Sequence, residues 1–410
     1  MQMQITAMGW QVYDAARLAG ESVERSAFLL GALGLVQFFP LLLLSPVGGQ
    51  AADRHNRLRI MRISIAVKGA VALMLTLASN QPPNILIPVM FVTAFATGAV
   101  NAFMPAAFTA LLPNLVPRSE LPQAVAWNST ILQTGTIVGP SVGGVLLLLG
   151  GPWPYAVALA LFACAGALLL ATQAPKQTPP TETRSLAMAI EGLKFIRDNK
   201  IVLGAMSLDL VVVLLAGAVA LLPVFARDVL HVGPDEQGLL RSAMGVGAVS
   251  VALFLTVRPL RVRVGYWMFL ATIVFGLATI VFGLSRSLWL TAAALAVAGG
   301  ADMISVYVRQ TLIQLVTPDD MRGRVGAASF VFISASNELG DFEAGLTARL
   351  FGPVMAVTLG GVLAITASLA WMRLFPQLTR ADGFVPEHLE AAANAPPGAP
   401  AEGPAKQGSA

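Results

Sequence analysis

The acids and bases able to move a proton are few here, and they sit in unusual places. Glu338, Asp341 and Glu343 crowd the stretch 325–350, which is otherwise mostly apolar or small. Upstream, Asp302 and Arg309 interrupt the apolar stretch 288–316, and Asp209 interrupts 201–226. A spacing of three puts Glu338 and Asp341 on one helix face, and a spacing of seven does the same for Asp302 and Arg309. An ionised group in hydrocarbon costs roughly 2.5 to 3.5 kcal/mol on insertion scales, so such groups face a watery cavity or one another. Two carboxyls this close repel each other when both are charged, and such a pair can take a proton from one side of a membrane and release it to the other. Glu338 or Asp341 is therefore the expected proton site, with Arg309 competing for its charge and with Asp302 and Asp209 lining the cavity. The same residues can instead form a structural Asp302, Arg309, Glu338 network that ties two helices together.

Other chemistries lack their parts. His55, His231 and His388 fall in two loops and a tail, and the one cysteine, Cys164, lies in an apolar run. Neither a metal site nor a nucleophile with its base is indicated. A Gly-rich phosphate loop ending in Lys-Ser or Lys-Thr is also missing from the sequence. No enzyme activity and no cofactor are expected.

The elements that must hold these groups are membrane helices. Hydrophobic residues make up 56% of the chain and charged ones 12%, with a mean hydropathy of +0.73, whereas about a quarter of an ordinary soluble chain is charged. The formal charge of +4 does not point to nucleic acid, because the arginines stand in short loops between apolar runs, where they orient a chain in the bilayer. A helix needs about 20 apolar residues to cross. Candidate spans lie at 1–18, 26–48, 60–79, 84–112, 122–150 and 153–173, then at 201–226, 237–257, 265–285, 288–316, 325–350 and 353–375. The domain plan is an amino-terminal six-helix bundle over 1–173, a linker over 174–200, a second bundle over 201–376 and a disordered tail over 377–410. In the linker, Leu186, Ile190, Leu193 and Ile196 recur at helical spacing. They describe an amphipathic helix that lies on the membrane or docks on the bundle. The first span carries Gln2, Gln4, Gln11, Tyr13, Asp14 and Arg17, so it is expected to lack its cytoplasmic half.

Alternate loops are basic. Arg54, Arg57, Arg59 and Arg62 mark the first, followed by Arg118, the linker, then Arg258, Arg261 and Arg263, then Arg322 and Arg324, with Arg373 and Arg380 at the end. The positive-inside rule places this set, with the linker and the C-terminus, in the cytoplasm, and the cell's inner membrane is the expected location. A shift of two hundred positions sets Leu115 and Val116 against Leu315 and Val316, each pair before the fifth helix of its half. Such an echo is expected of a transporter built from repeats.

The loop Gly49-x-x-x-Asp53-Arg54-x-Asn56-Arg57 resembles motif A of the major facilitator superfamily, with Asn56 where a glycine is usual and Leu58 where a basic residue is usual. Gly135-x-x-x-Gly139-Pro140-x-x-Gly143-Gly144 matches that superfamily's motif C at every fixed position. Glycines at this spacing bare a helix face for close packing, and Pro140 removes a backbone hydrogen bond. The stretches Pro117 to Val125, Leu221 to Asp228 and Pro318 to Val325 are similar to the branch that includes the enterobactin exporter and related secretion effectors.

The resemblance implies an all-α membrane protein of the major facilitator fold, two six-helix bundles around a midplane cavity. It also implies a secondary active, proton-coupled exporter of a drug, siderophore or metabolite. Small molecule, protons and lipid would be its partners, and it would work as a monomer. Motif A would act as a gate, with Asp53 meeting the start of helix eleven or Arg322 and Arg324. An uptake symporter and a non-transporting membrane sensor of the same fold are the alternatives. Lys68 reads as a snorkelling side chain or an anion site. Asp14 and Arg17, one turn apart, either meet substrate or pair at the outer interface.

Overall fold

The computed structural model describes residues 1–117, 119–172, 186–260, 262–318 and 321–379. The side chains at 53, 122, 186–190, 322–324, 327, 330, 331 and 334 are excepted. All its regular structure is helical. The first half comprises α1 (Gln2–Leu18), α2 (Val23–Arg54), α3 (Arg57–Ala78), α4 (Pro83–Leu111), α5 (Leu121–Leu148) and α6 (Trp153–Ala171). Next come α7 (Leu186–Asp198), α8 (Lys200–Leu215) and a short turn, α9 (Leu222–Val224). Then follow α10 (Pro234–Val257), α11 (Val264–Leu284), α12 (Leu288–Val316), α13 (Arg322–Phe351), α14 (Pro353–Leu374) and a final turn, α15 (Pro376–Thr379).

The helix starts are written in the sequence. Ser22 accepts from the backbone N–H of Arg25 at the start of α2, and Asn199 accepts from those of Ile201 and Val202 at the start of α8. Each satisfies amides that a first turn leaves unpaired. Prolines open α4, α10 and α14, where a missing N–H costs nothing.

Ten helical segments among the described residues are long and apolar enough to cross a membrane. α1, at 17 residues, falls short in length. α13 has the length, at 30 residues. It does not reach the apolar standard because its acids and arginines dilute the run. α7 docks rather than lying free: its Phe195 and Ile196 join Val202 and Met206 of α8, Ile313 of α12 and Val325 and Ala328 of α13. The Leu186 and Ile190 side chains lie outside those described.

Lipid gives helices little hydrophobic reason to associate, so small residues that permit close contact decide where they meet. α2 lies between α4 and α13, and α5 packs on α10, which joins the two halves along two seams. A Cβ on Gly31 would come within 2.9 Å of the Asp341 carbonyl, and one on Gly345 within 2.9 Å of the Gly31 Cα. Across the other seam, a Cβ on Gly144 would meet the Pro234 carbonyl at 2.2 Å, and one on Gly238 the Pro140 carbonyl at 2.5 Å. Ser141 and Ser242 hydrogen-bond there at 2.8 Å.

These contacts all lie toward one end of the molecule. Toward the other end, which carries the loop Arg54 to Arg57, a Cβ on Gly49, Gly135 or Gly326 would meet nothing within 4 Å. Val125, Trp127, Ile131 and Leu132 on that half of α5 are exposed. The two halves are closed at the far end and part toward the arginine loop.

Candidate functional site

The seam between α2 and α13 holds the carboxylates. Gln37, on α2, donates from Nε2 to Glu338 Oε1 at 3.2 Å. Gly34 makes the room: its Cβ position would lie 3.4 Å from both Glu338 Oε2 and the Asp341 side chain. Glu338 and Asp341 share a face of α13, as their spacing predicts, and Glu343 turns away to accept from Thr347 at 2.5 Å. The cation that acts electrostatically on both Glu338 and Asp341 is Arg241 of α10. Among the described residues, Arg241 has no direct ion-pair or hydrogen-bond partner, so its charge faces the carboxylates without closing on them. Arg241 lies one turn after Gln237, whose amide is fully buried. Neither was a sequence candidate. A lone arginine at the edge of an apolar run looks like a loop charge until its neighbours are known.

Arg309 is placed elsewhere. Its guanidinium pairs with Asp209 at 3.3 Å, and the two are 3% and 7% exposed, which makes this a buried pair inside the second half. Asp302 lies within electrostatic range of both. The expectation that Arg309 competes for the charge of Glu338 or Asp341 is therefore corrected. Arg309 belongs to an α8–α12 network, and the Asp302, Arg309, Glu338 network does not form in that membership. Helix-face arithmetic told which side Arg309 occupies but not which neighbour stands there.

Beside the α13 cluster, the backbone is irregular. α8 ends at Leu215 and the chain passes through Gly217 before the 3-10 turn Ala218–Leu221, α9 and a π-helical turn, Phe225–Val229. A Cβ on Gly217 would lie 2.7 Å from the Gly340 backbone, one residue from Asp341. Broken helices and π turns concentrate at binding sites in membrane proteins, because freed backbone groups are tolerated only in protein or next to water.

In the arginine loop, Arg57 is a staple. Its Nε donates to the Ala52 carbonyl at 3.0 Å and its Nη1 to the Ala110 carbonyl at 2.9 Å, tying the ends of α2 and α4 together. Arg62 does the same for α6, donating to Leu169 at 3.0 Å and Thr172 at 3.1 Å. Asn56 caps α3, accepting from the N–H of Arg59 at 3.0 Å, which gives this departure from the motif a job. The glycine of this loop that makes a close approach is Gly48, whose Cβ position would meet the Ala102 carbonyl at 2.1 Å, whereas one on Gly49 would meet nothing within 4 Å. Arg54 is exposed. The expected contact of Asp53 with Arg322 or Arg324 lies outside the described side chains, as do Arg118, Arg261, Arg380 and the tail from 380 onward.

In the glycine run of α5, Gly139 and Gly143 receive α1, at 2.7 Å from Gln2 and from Met3 respectively, while Gly144 receives α10. Gly135 faces open space and Pro140 stands at the contact with Gly238. Lys68 does not snorkel. It is 5% exposed, and its Nζ reaches Asn101 Oδ1 at 3.2 Å, because it lies too far inside the helix for its stem to reach either surface. Asp14 and Arg17 do not pair with each other: Asp14 pairs with Arg227 and Arg17 with Asp228.

The model of the Major Facilitator Superfamily matches residues 5–340. The enterobactin exporter of Citrobacter koseri is 28% identical over 345 residues, covering 82% of this chain and 80% of that protein. That of Escherichia coli O157:H7 is 27% identical over 350 residues, covering 82% and 83%. Among solved structures, a D-xylose–proton symporter superposes with a TM-score of 0.68 at 13% identity, covering 94% of this chain and 97% of the other. An inward-facing bacterial homologue of ferroportin superposes with a TM-score of 0.63 at 15% identity, covering 92% and 97%.

Proposed function

The chain belongs to the Major Facilitator Superfamily, and from that premise we propose that it is a proton-coupled exporter of a small molecule that works by alternating access. The observation that carries this is the Gln37 to Glu338 hydrogen bond, which sets an acid on the boundary between two moving halves. With both carboxyls ionised, Glu338, Asp341 and Arg241 leave one uncompensated negative charge at the seam. One bound proton brings the cluster to neutrality, and a seam that buries charge closes at least cost when it is neutral. Proton binding and closure are thereby linked, which is what coupling requires.

The basic loops favour a cytoplasmic open end, which supports reading this as an inward-facing form in the cell's inner membrane. Cargo enters between the halves from the cytoplasm and displaces the proton, and the halves then rock to the outside. Export is favoured by the glycine and proline pattern of α5 and by relatives named as enterobactin exporters, which also makes a siderophore the first cargo to try. Both sides of the site come from one chain, so a monomer suffices. Asp53, with Arg322 and Arg324, would steady the outward-facing form.

The test compares secreted and cell-retained siderophore in deletion and overexpressing strains, followed by proton movement in proteoliposomes with the same cargo. Export against an inwardly directed cargo gradient, with protons moving inward, is the expected result. Proton-driven transport that survives in a well-expressed Glu338→Gln, Asp341→Asn double variant would end this assignment of the proton site.

A further inference from the structure

The closed end is held by charge as well as by close packing. Asp14 and Arg17 stand on α1 in the first half, and Arg227 and Asp228 follow α9 in the second. Arg17 Nη2 lies 3.2 Å from Asp228 Oδ1, and Arg227 pairs with the Asp14 carboxylate while donating to the Asp14 carbonyl at 3.2 Å. The Tyr13 hydroxyl also donates to Asp228. The four charged side chains are 22% to 35% exposed, partly sheltered but within reach of water.

The two bridges run in opposite senses, acid to base in one and base to acid in the other. Each half thus contributes one acid and one base and carries no net charge here. Within a half, the partners are also close in sequence. Asp14 and Arg17 are three apart on one helix face, a spacing at which an acid and a base can pair. Arg227 and Asp228 are adjacent, in the same order as Arg197 and Asp198, which pair at 3.3 Å.

We propose that these four residues form a partner-exchanging clasp. When the far end is closed, the acids and bases pair across the halves. When it opens, Asp14 turns to Arg17 and Arg227 to Asp228, so neither half is left with an unpaired charge. A plain salt bridge would only favour closure. This arrangement favours both end states over the path between them, which is the property of a bistable gate. The clasp presupposes the two-state exchange proposed above, but it does not depend on the cargo or on the coupling ion.

Neutralising one bridge separates the two possibilities. In Asp14→Asn, Arg227→Gln one cross-half pair, Arg17 to Asp228, remains when the far end is closed, and no pair within a half can form when it opens. A plain bridge would lose half of its hold on the closed form and open more often. A clasp would lose both pairs of the open form against one of the closed form, and so would open less often. The fourfold exchange, Asp14→Arg, Arg17→Asp, Arg227→Asp and Asp228→Arg, restores both sets of pairs. Spin labels on cysteines introduced at the exposed Asn80 and Arg286, in a Cys164→Ser background, report the far-end separation in nanodiscs.

The double variant should lower the open population at least threefold below the parent, and the fourfold exchange should return it to within twofold. Variants that elute as monodisperse protein keep the comparison free of misfolding, with the fourfold exchange as the internal control. A double variant that opens as often as the parent, or more often, would overturn the clasp while leaving alternating access intact. Far-end distances unchanged in every variant would overturn both.

Discussion

Gln37 and Glu338 sit 3.2 Å apart on helices from opposite halves, so an acid at the seam is bonded to the half it does not belong to. Whatever alters the charge of Glu338 also alters the contact between the halves. Substitution by Gln keeps the shape and removes the charge. Flux in Glu338→Gln should lose its dependence on an imposed pH gradient, whereas Gln37→Leu should slow flux and keep that dependence. Proteoliposome flux at matched and unmatched pH is the measurement.

The α2–α13 contact has no space for side chains at Gly31 and Gly345. Gly345→Ala places a carbon 2.9 Å from the Gly31 Cα and 3.0 Å from the Ala27 carbonyl, and backbone cannot move aside locally. Overpacking of this kind costs about 1 to 3 kcal/mol. The thermal midpoint should fall, and a cysteine at Gln37 should react faster with hydrophilic thiol reagents added from the far side.

Removing one member of a buried ion pair leaves the other charge unpaired and costs roughly 3 to 5 kcal/mol. Arg309→Met should therefore be much less stable than the parent. The double variant Arg309→Met, Asp209→Leu should recover most of that loss. Denaturation in mild detergent orders the three. Equal stability of the two variants would show that the Arg309–Asp209 pair is not the element being lost.

Arg57 donates to two helix-terminal carbonyls, and a hydrogen bond from a charged donor contributes about 1.5 to 3 kcal/mol. Partial exposure puts these two toward the low end. Arg57→Ala should lower the unfolding midpoint by several degrees, and Arg57→Lys should recover only part of it, since an ammonium lacks the planar fork that reaches both carbonyls.

Much of the fold is legible in the sequence because bilayer thickness sets the length of an apolar run. The expected spans 60–79 and 288–316 correspond to Arg57–Ala78 and Leu288–Val316. What spacing does not encode is the partner. The three-residue step from Glu338 to Asp341 gives the shared face, but nothing near Arg241 in the chain points to α13. Gly48 and Gly49 differ by about 100° around a helix, and only the position of Ala102 decides which is packed. The break after α8 is equally silent, since Ala216, Gly217 and Ala218 read as a continuous apolar run. Asp14 and Arg17 were readable as a pair, and it is the fold that crosses them over.

The composition of α13 also bears on how the molecule is made. The machinery that threads a new chain into lipid admits a segment by its own greasiness, and α13, with three acids in six positions, offers little. It must be accepted in company, its polar side sheltered by helices already in place, with α14 arriving behind to retain it. Ribosomal products cut short after Phe351 should therefore leave α13 outside the bilayer, and a glycan or protease tag fused there would report it.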